Sequence, residues 1–253
     1  MRTIIAGTLA LLFSLVAHAG SVLKMDAKDA AGKTQPFETY YAQDGMLRID
    51  RMDAHGGITG TTLVRDGVVW EIDPAGRTYT RVDSASVGEF AGASANKMEA
   101  MIASLPPEKR AMMEARMAQM KQKSASTQYT FTDTGRTDHV GSYACKIWEE
   151  QKSGQPFGQF CVVPSSSLPG GAELETSLKK ATATAGQIIA SVPMLAPHAE
   201  HITRLGQMNG FPARARISGG DEHVLTSAQA QSLPADKFAI PQGFTERKLG
   251  ERE

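Results

Sequence analysis

Short runs of Val, Ile, Leu, Thr, Tyr and Trp alternate with polar residues along residues 44–83, and breaks of Asp-Gly, Gly-Gly and Pro-Ala-Gly punctuate them. Leu47 and Ile49 fall on one side of such a run and Arg48 and Asp50 on the other; Val68, Trp70 and Ile72 share a face opposite Glu71 and Asp73. A period of two with turns this close predicts an antiparallel meander with one buried face. Asp44-Gly45 and Asp66-Gly67 suit the hairpin turns, because the glycine accepts a positive φ. Earlier strands are predicted over 21–29 and around Phe37, Thr39 and Tyr41, and a small-residue loop over 84–92.

The pattern changes over 94–124, the boundaries of a predicted Met-rich helical insert. Met98, Met101 and Ile102 fit one helical face, and Leu105-Pro106-Pro107 breaks it, since Pro disfavours helix in the residue before it. Ser104 is placed to cap a second helix, with the prolines in its first turn, and Met113, Met117 and Met120 recur at i, i+4 and i+7. Strand patterning returns at 128–133, then as a hairpin with arms 143–150 and 158–163, around Pro212 to Ile217, and around His223 to Thr226. Residues 174–192 read as a helix, 134–141 as a turn or short strand, and 235–244 as a segment docking Phe238 and Ile240, with a frayed tail from Glu246 onward. No repeat or clean linker divides residues 20–253, which read as one domain.

Residues 1–19 stand apart. One charge, Arg2, precedes an apolar run ending in Ala17-His18-Ala19, the pattern of a secretory signal peptide cleaved after Ala19. The run is too short to span a bilayer, and no later stretch is long and apolar enough, so the protein reads as exported to the periplasm and not membrane-spanning. The chain holds 27 basic and 27 acidic residues, and no basic stripe marks a nucleic-acid binder. Two cysteines in an exported chain suggest one disulfide; Cys145 and Cys161 have Ser153 as their midpoint, so a hairpin centred there sets them opposite each other.

Catalytic patterns are thin. Ser94-Ala95-Asn96-Lys97 and Ser177-Leu178-Lys179-Lys180 match Ser-x-x-Lys without the partner motifs of acyl enzymes. His198 and His201 lack a third ligand at a metal-site spacing, and no phosphate loop, cofactor motif or metal site is assigned. The methionines are the distinctive feature. They suit core packing, a plastic apolar lining for a client, or thioether ligation of copper(I).

The strings DGMLRID, VVWEIDPAGRTYTRVD, LPPEKRAMMEARM, VGSYACKIWEE and LPADKFAIPQGF, in that order, resemble a family of exported bacterial proteins of unknown function. That family looks distantly related to the periplasmic lipoprotein-carrier and lipoprotein-receptor fold. The resemblance implies an α+β architecture, a curved antiparallel half-barrel with helices packed in its concave side. The expected function is non-enzymatic binding of an apolar ligand (lipid, acyl chain or lipoprotein), with Trp70, Met113, Met117 and Met120 as candidate ligand-binding residues. The alternative is an envelope-stress or copper-handling protein that uses the Met-rich insert.

Overall fold

The computed structural model describes residues 20–125, 128–192, 203, 206 and 208–251. The proposed signal peptide, His198 and His201 lie outside them. Two antiparallel meanders make one open sheet. The first comprises β1 (Gly20–Lys28), β2 (Thr34–Gln43), β3 (Met46–Met52), β4 (Ile58–Arg65), β5 (Val68–Asp73) and β6 (Thr78–Val82). The second comprises β7 (Tyr129–Val140), β8 (Tyr143–Lys152), β9 (Gln155–Val163), β10 (Phe211–Ile217) and β11 (Glu222–Gln231). Pairing of β1 with β11 joins them, and β12 (Thr245–Arg247) adds a parallel strand outside β6, giving the order β12-β6-β5-β4-β3-β2-β1-β11-β10-β9-β8-β7. Among the described residues the sheet is not closed into a barrel.

The predicted turns form with the backbone they require. Asp44 and Gly45 have φ of 54° and 73°, and Asp66 and Gly67 of 53° and 73°. Two successive positive φ values give the turn whose twist matches the strands it joins. Ser153 and Gly154 do the same between β8 and β9.

Adjacent residues of a strand feed opposite faces. On one face Leu23, Met25, Ala42, Leu47 and Val64 meet Leu174 and Ala181 of α3 (Gly171–Ala190). Leu174, Ser177, Ala181, Thr184 and Ile188 are buried at a spacing that keeps them on one side of the helix. The amide of Asp44 donates to Glu173, which ties α3 to the β2–β3 turn. On the other face Val22, Leu63 and Ile72 meet Leu233 and Phe238, with Trp70, Tyr79 and Phe244 around them. Residues 232–251 are therefore a strap over that face. The sheet beside Trp70 takes its cover from this strap.

The disulfide Cys145–Cys161 is present, with 5.4 Å between Cα atoms. The two cysteines are not directly opposite. A register shift beside Glu150 and Gln151 sets Cys161 across from Ile147, so the bond runs diagonally on one face.

Candidate functional site

The insert is a helical hairpin, α1 (Ser84–Ala103) and α2 (Pro107–Ala125). Its first helix starts at Ser84, where the sequence suggested a loop. Asp83 accounts for the start: its carboxylate accepts from the Ser86 amide at 2.8 Å, while the Ser86 hydroxyl accepts from the Asp83 amide at 2.9 Å. This reciprocal pair satisfies two donors that a helix end otherwise leaves unmet. The Ser86 amide is the main reason the Asp83 carboxyl is held below the usual carboxylate range. Small residues (Ser84, Ala85, Ser86, Gly88, Ala91, Gly92) hid the helix by blurring its period.

Ser104 closes α1 and does not open α2; its hydroxyl donates to the Met101 carbonyl at 2.7 Å. Pro107 is the first residue of α2, where its missing N–H costs nothing. Arg110 reaches back to the carbonyls of Ala103 and Leu105 at 2.8 and 3.3 Å. A cation at the end of α1 also suits its dipole. The corner of the hairpin is thus fixed by hydrogen bonds, while α1 packs against β6 and α3 and α2 packs chiefly on α1.

Little of the hairpin's apolar surface is covered. Ile102 is the buried residue among the described side chains of the two helices. Met98 and Met101 on α1 are 45% and 51% exposed, and Met112 and Met120 on α2 are 69% and 58% exposed. Met113 and Met117 are half-buried. Trp70 stands elsewhere, in the cluster under the strap, edge-on to Tyr79 at 5.7 Å and with the Arg81 guanidinium 5.7 Å from its ring. Trp70 and Met113, Met117 and Met120 occupy different settings, one beneath the strap and the others on the hairpin.

A cleft of about 740 Å³ opens between α1 and the strap, lined by Arg81, Asp83, Phe90, Lys97, Arg247 and Leu249 among others. Phe90 lies against Gly250 so closely that a Cβ there would come within 2.2 Å of its ring. The sequence pointed to none of this, because the contact joins residues 160 positions apart and neither side carries a motif.

The remaining candidates are structural in setting. Ser177 is fully buried on the sheet side of α3, and Ser94 is exposed on α1. His223 stacks on Phe37 at 3.8 Å. Burial first, and then the neighbouring Glu38 carboxylate, pushes the Tyr40 phenol well above its ordinary pKa, and the phenol donates to Glu38. Among the described residues no group of three or more His, Cys, Asp or Glu is placed to hold a metal ion, and no described helix is long and apolar enough to cross a membrane.

No family model and no curated protein matches the chain. Two solved structures of PNGF-II, in different crystal forms, are similar to it at 10% identity, with TM-scores of 0.45 and 0.43. They align over 91% and 90% of this chain, which spans 31% and 32% of the PNGF-II chains.

Proposed function

We propose that this is a non-enzymatic binding protein of the periplasm, exported by residues 1–19, which takes up an apolar ligand (lipid, acyl chain or lipoprotein segment) through the α1–α2 hairpin. The observation that carries the reading is the exposure of Met98, Met101, Met112 and Met120 on a hairpin that buries only Ile102 among its described side chains. A helix kept for structure alone turns its apolar side inward, as α3 does. Methionine adapts to partners of irregular shape, which suits a ligand-facing surface better than a core. In this reading the fold is the curved, carrier-like half-barrel that the sequence resembles, with its helices on the concave side. The uncovered hairpin is the element that meets the client.

The test is the triple change Met101→Leu, Met112→Leu, Met120→Leu, at three of the exposed methionines, assayed with a fluorescent fatty-acid probe. Leucine keeps the apolar volume and removes the adaptability. The variant should keep its fold and take up the probe several-fold more weakly. Wild-type protein that never takes up the probe, or a triple variant that binds it equally well, would overturn the reading. Tight copper(I) binding lost in the same variant would replace it with the metal-handling alternative.

A further inference from the structure

One side of α2 carries a row of alternating cations and methionines. At 3.6 residues per turn, Lys109, Met112, Arg116 and Met120 stand within one narrow arc, spaced i, i+3, i+7 and i+11 and running about 16 Å along the helix. All four are exposed. Of the two acids of α2, Glu114 falls on the opposite side of the helix, while Glu108, four residues before Met112, stands beside the arc in the first turn, where the dipole favours it. Helix α2 has five basic and two acidic residues, a surplus of three positive charges in a chain whose totals are equal at 27 each.

We infer that this face of α2 docks on an anionic phospholipid surface. The inference rests on the hairpin being the binding element and names the surface it meets. A row that alternates cation, methionine, cation, methionine has two kinds of complementarity to such a surface and one to most others. The thioether side chains enter the boundary between headgroups and acyl chains. Lys109 and Arg116 extend their methylene stems over the same apolar layer and leave their charges at phosphate level. The hydrogen-bonded corner at Arg110 presents the row as a rigid edge. A partner surface that offered acidic groups alone would satisfy the cations and leave Met112 and Met120 in water.

The experiment is co-sedimentation of the full chain with vesicles of phosphatidylglycerol and phosphatidylcholine, and with vesicles of phosphatidylcholine alone. Wild-type protein should pellet with the first and far less with the second, and high salt should release it. Each Lys or Arg near an anionic surface contributes roughly fivefold to partition, so Lys109→Glu with Arg116→Glu should weaken it at least roughly 30-fold. Lys109→Arg with Arg116→Lys should restore it, and Met112→Ser with Met120→Ser should weaken it without removing the salt dependence. Equal pelleting with both kinds of vesicle, or a charge-reversed variant that pellets like wild type, overturns the inference. So does wild-type protein that stays in solution, whatever acidic protein it captures. Probe uptake without vesicle binding overturns this inference and leaves the ligand reading standing. Charge-dependent vesicle binding without probe uptake does the reverse.

Discussion

Two glycines show how differently the same residue type can be required. Gly67 has φ of 73° and open space where a Cβ would lie. Its requirement is conformational, and the strain of an L-residue there is roughly 1–2 kcal/mol. Gly171, the first residue of α3, is limited by space: a Cβ there would stand 1.6 Å from the Ser165 carbonyl oxygen. The preceding Gly170 has φ of 67°, and its Cβ would stand 2.7 Å from the Gly20 carbonyl oxygen. The chain can enter α3 this close to β1 at Gly170 and to the Ser165 turn at Gly171 only because both positions lack side chains. Gly67→Ala should therefore cost about 1 kcal/mol, and Gly67→Asn less, since Asn tolerates the left-handed region. Gly171→Ala should cost about 3 kcal/mol or more, because backbone and not a flexible side chain must move. Denaturant unfolding of the three variants checks the order; a Gly171→Ala variant as stable as Gly67→Ala would contradict the packing argument.

Among the elements, strands were legible in the sequence and helices only in part. Alternation in β3 to β5 has a short period, and Asp-Gly pairs mark where it stops, so local sequence carries the whole signal. The start of α1 depends on one reciprocal hydrogen-bond pair between Asp83 and Ser86, and the small residues after it leave no period to read. The tail from Glu246 is a second case. It has no strand patterning, yet it pairs with β6 because an unfinished sheet edge is there to receive it. At the candidate site, the methionines were legible and their exposure was not, since i, i+4, i+7 spacing describes a buried and an open face alike. The capping pair predicts its own outcome. Asp83→Ala should destabilise the protein by about 1 kcal/mol at neutral pH, the usual worth of an acidic N-cap. The folded-state pKa of Asp83 is depressed, so its contribution is present above the unfolded carboxylate value of about 3.9 and is lost as pH falls through the lower folded value. Unfolding curves of wild type and variant should differ at pH 7 and converge in strong acid; a gap that persists or widens in acid would show that the carboxylate is not the capping group.

At the scale of the molecule, the two faces of the sheet are closed by different means, and the strap is the less secure. Helix α3 is a continuous covering, whereas residues 232–251 cross as a largely extended segment that includes a short helical turn at Ala235–Phe238. Besides hydrogen bonds to its carbonyls, two side chains hold that turn. Phe238 is 1% exposed in the cluster with Val22, Leu63 and Ile72. Beside it, Lys237 stands 3.5 Å from Asp50, a buried carboxylate that also accepts from Arg48 at 2.7 Å and Thr61 at 2.6 Å. The distances decide which matters more. Asp50 keeps a closer cation and a hydroxyl when Lys237 is removed, so the buried charge is not abandoned; the ammonium's contact with the Tyr41 ring at 3.7 Å is lost as well, and Lys237→Met should cost about 1–2 kcal/mol. Phe238→Ala removes most of a fully buried aromatic side chain and opens a cavity between strap and sheet, which costs about 3–5 kcal/mol. The hydrogen bonds that the Arg48 and Arg65 guanidinium groups donate to the Lys237 and Phe238 carbonyls, at 3.1 and 2.7 Å, survive both changes and keep the comparison clean. Denaturant unfolding should therefore rank Phe238→Ala well below Lys237→Met. Limited proteolysis of the Phe238→Ala protein should cut first within residues 232–251 and leave the remainder, still covered by α3, to be digested later. A Lys237→Met variant as unstable as Phe238→Ala would mean that the strap is anchored by its charge and not by the ring beneath it.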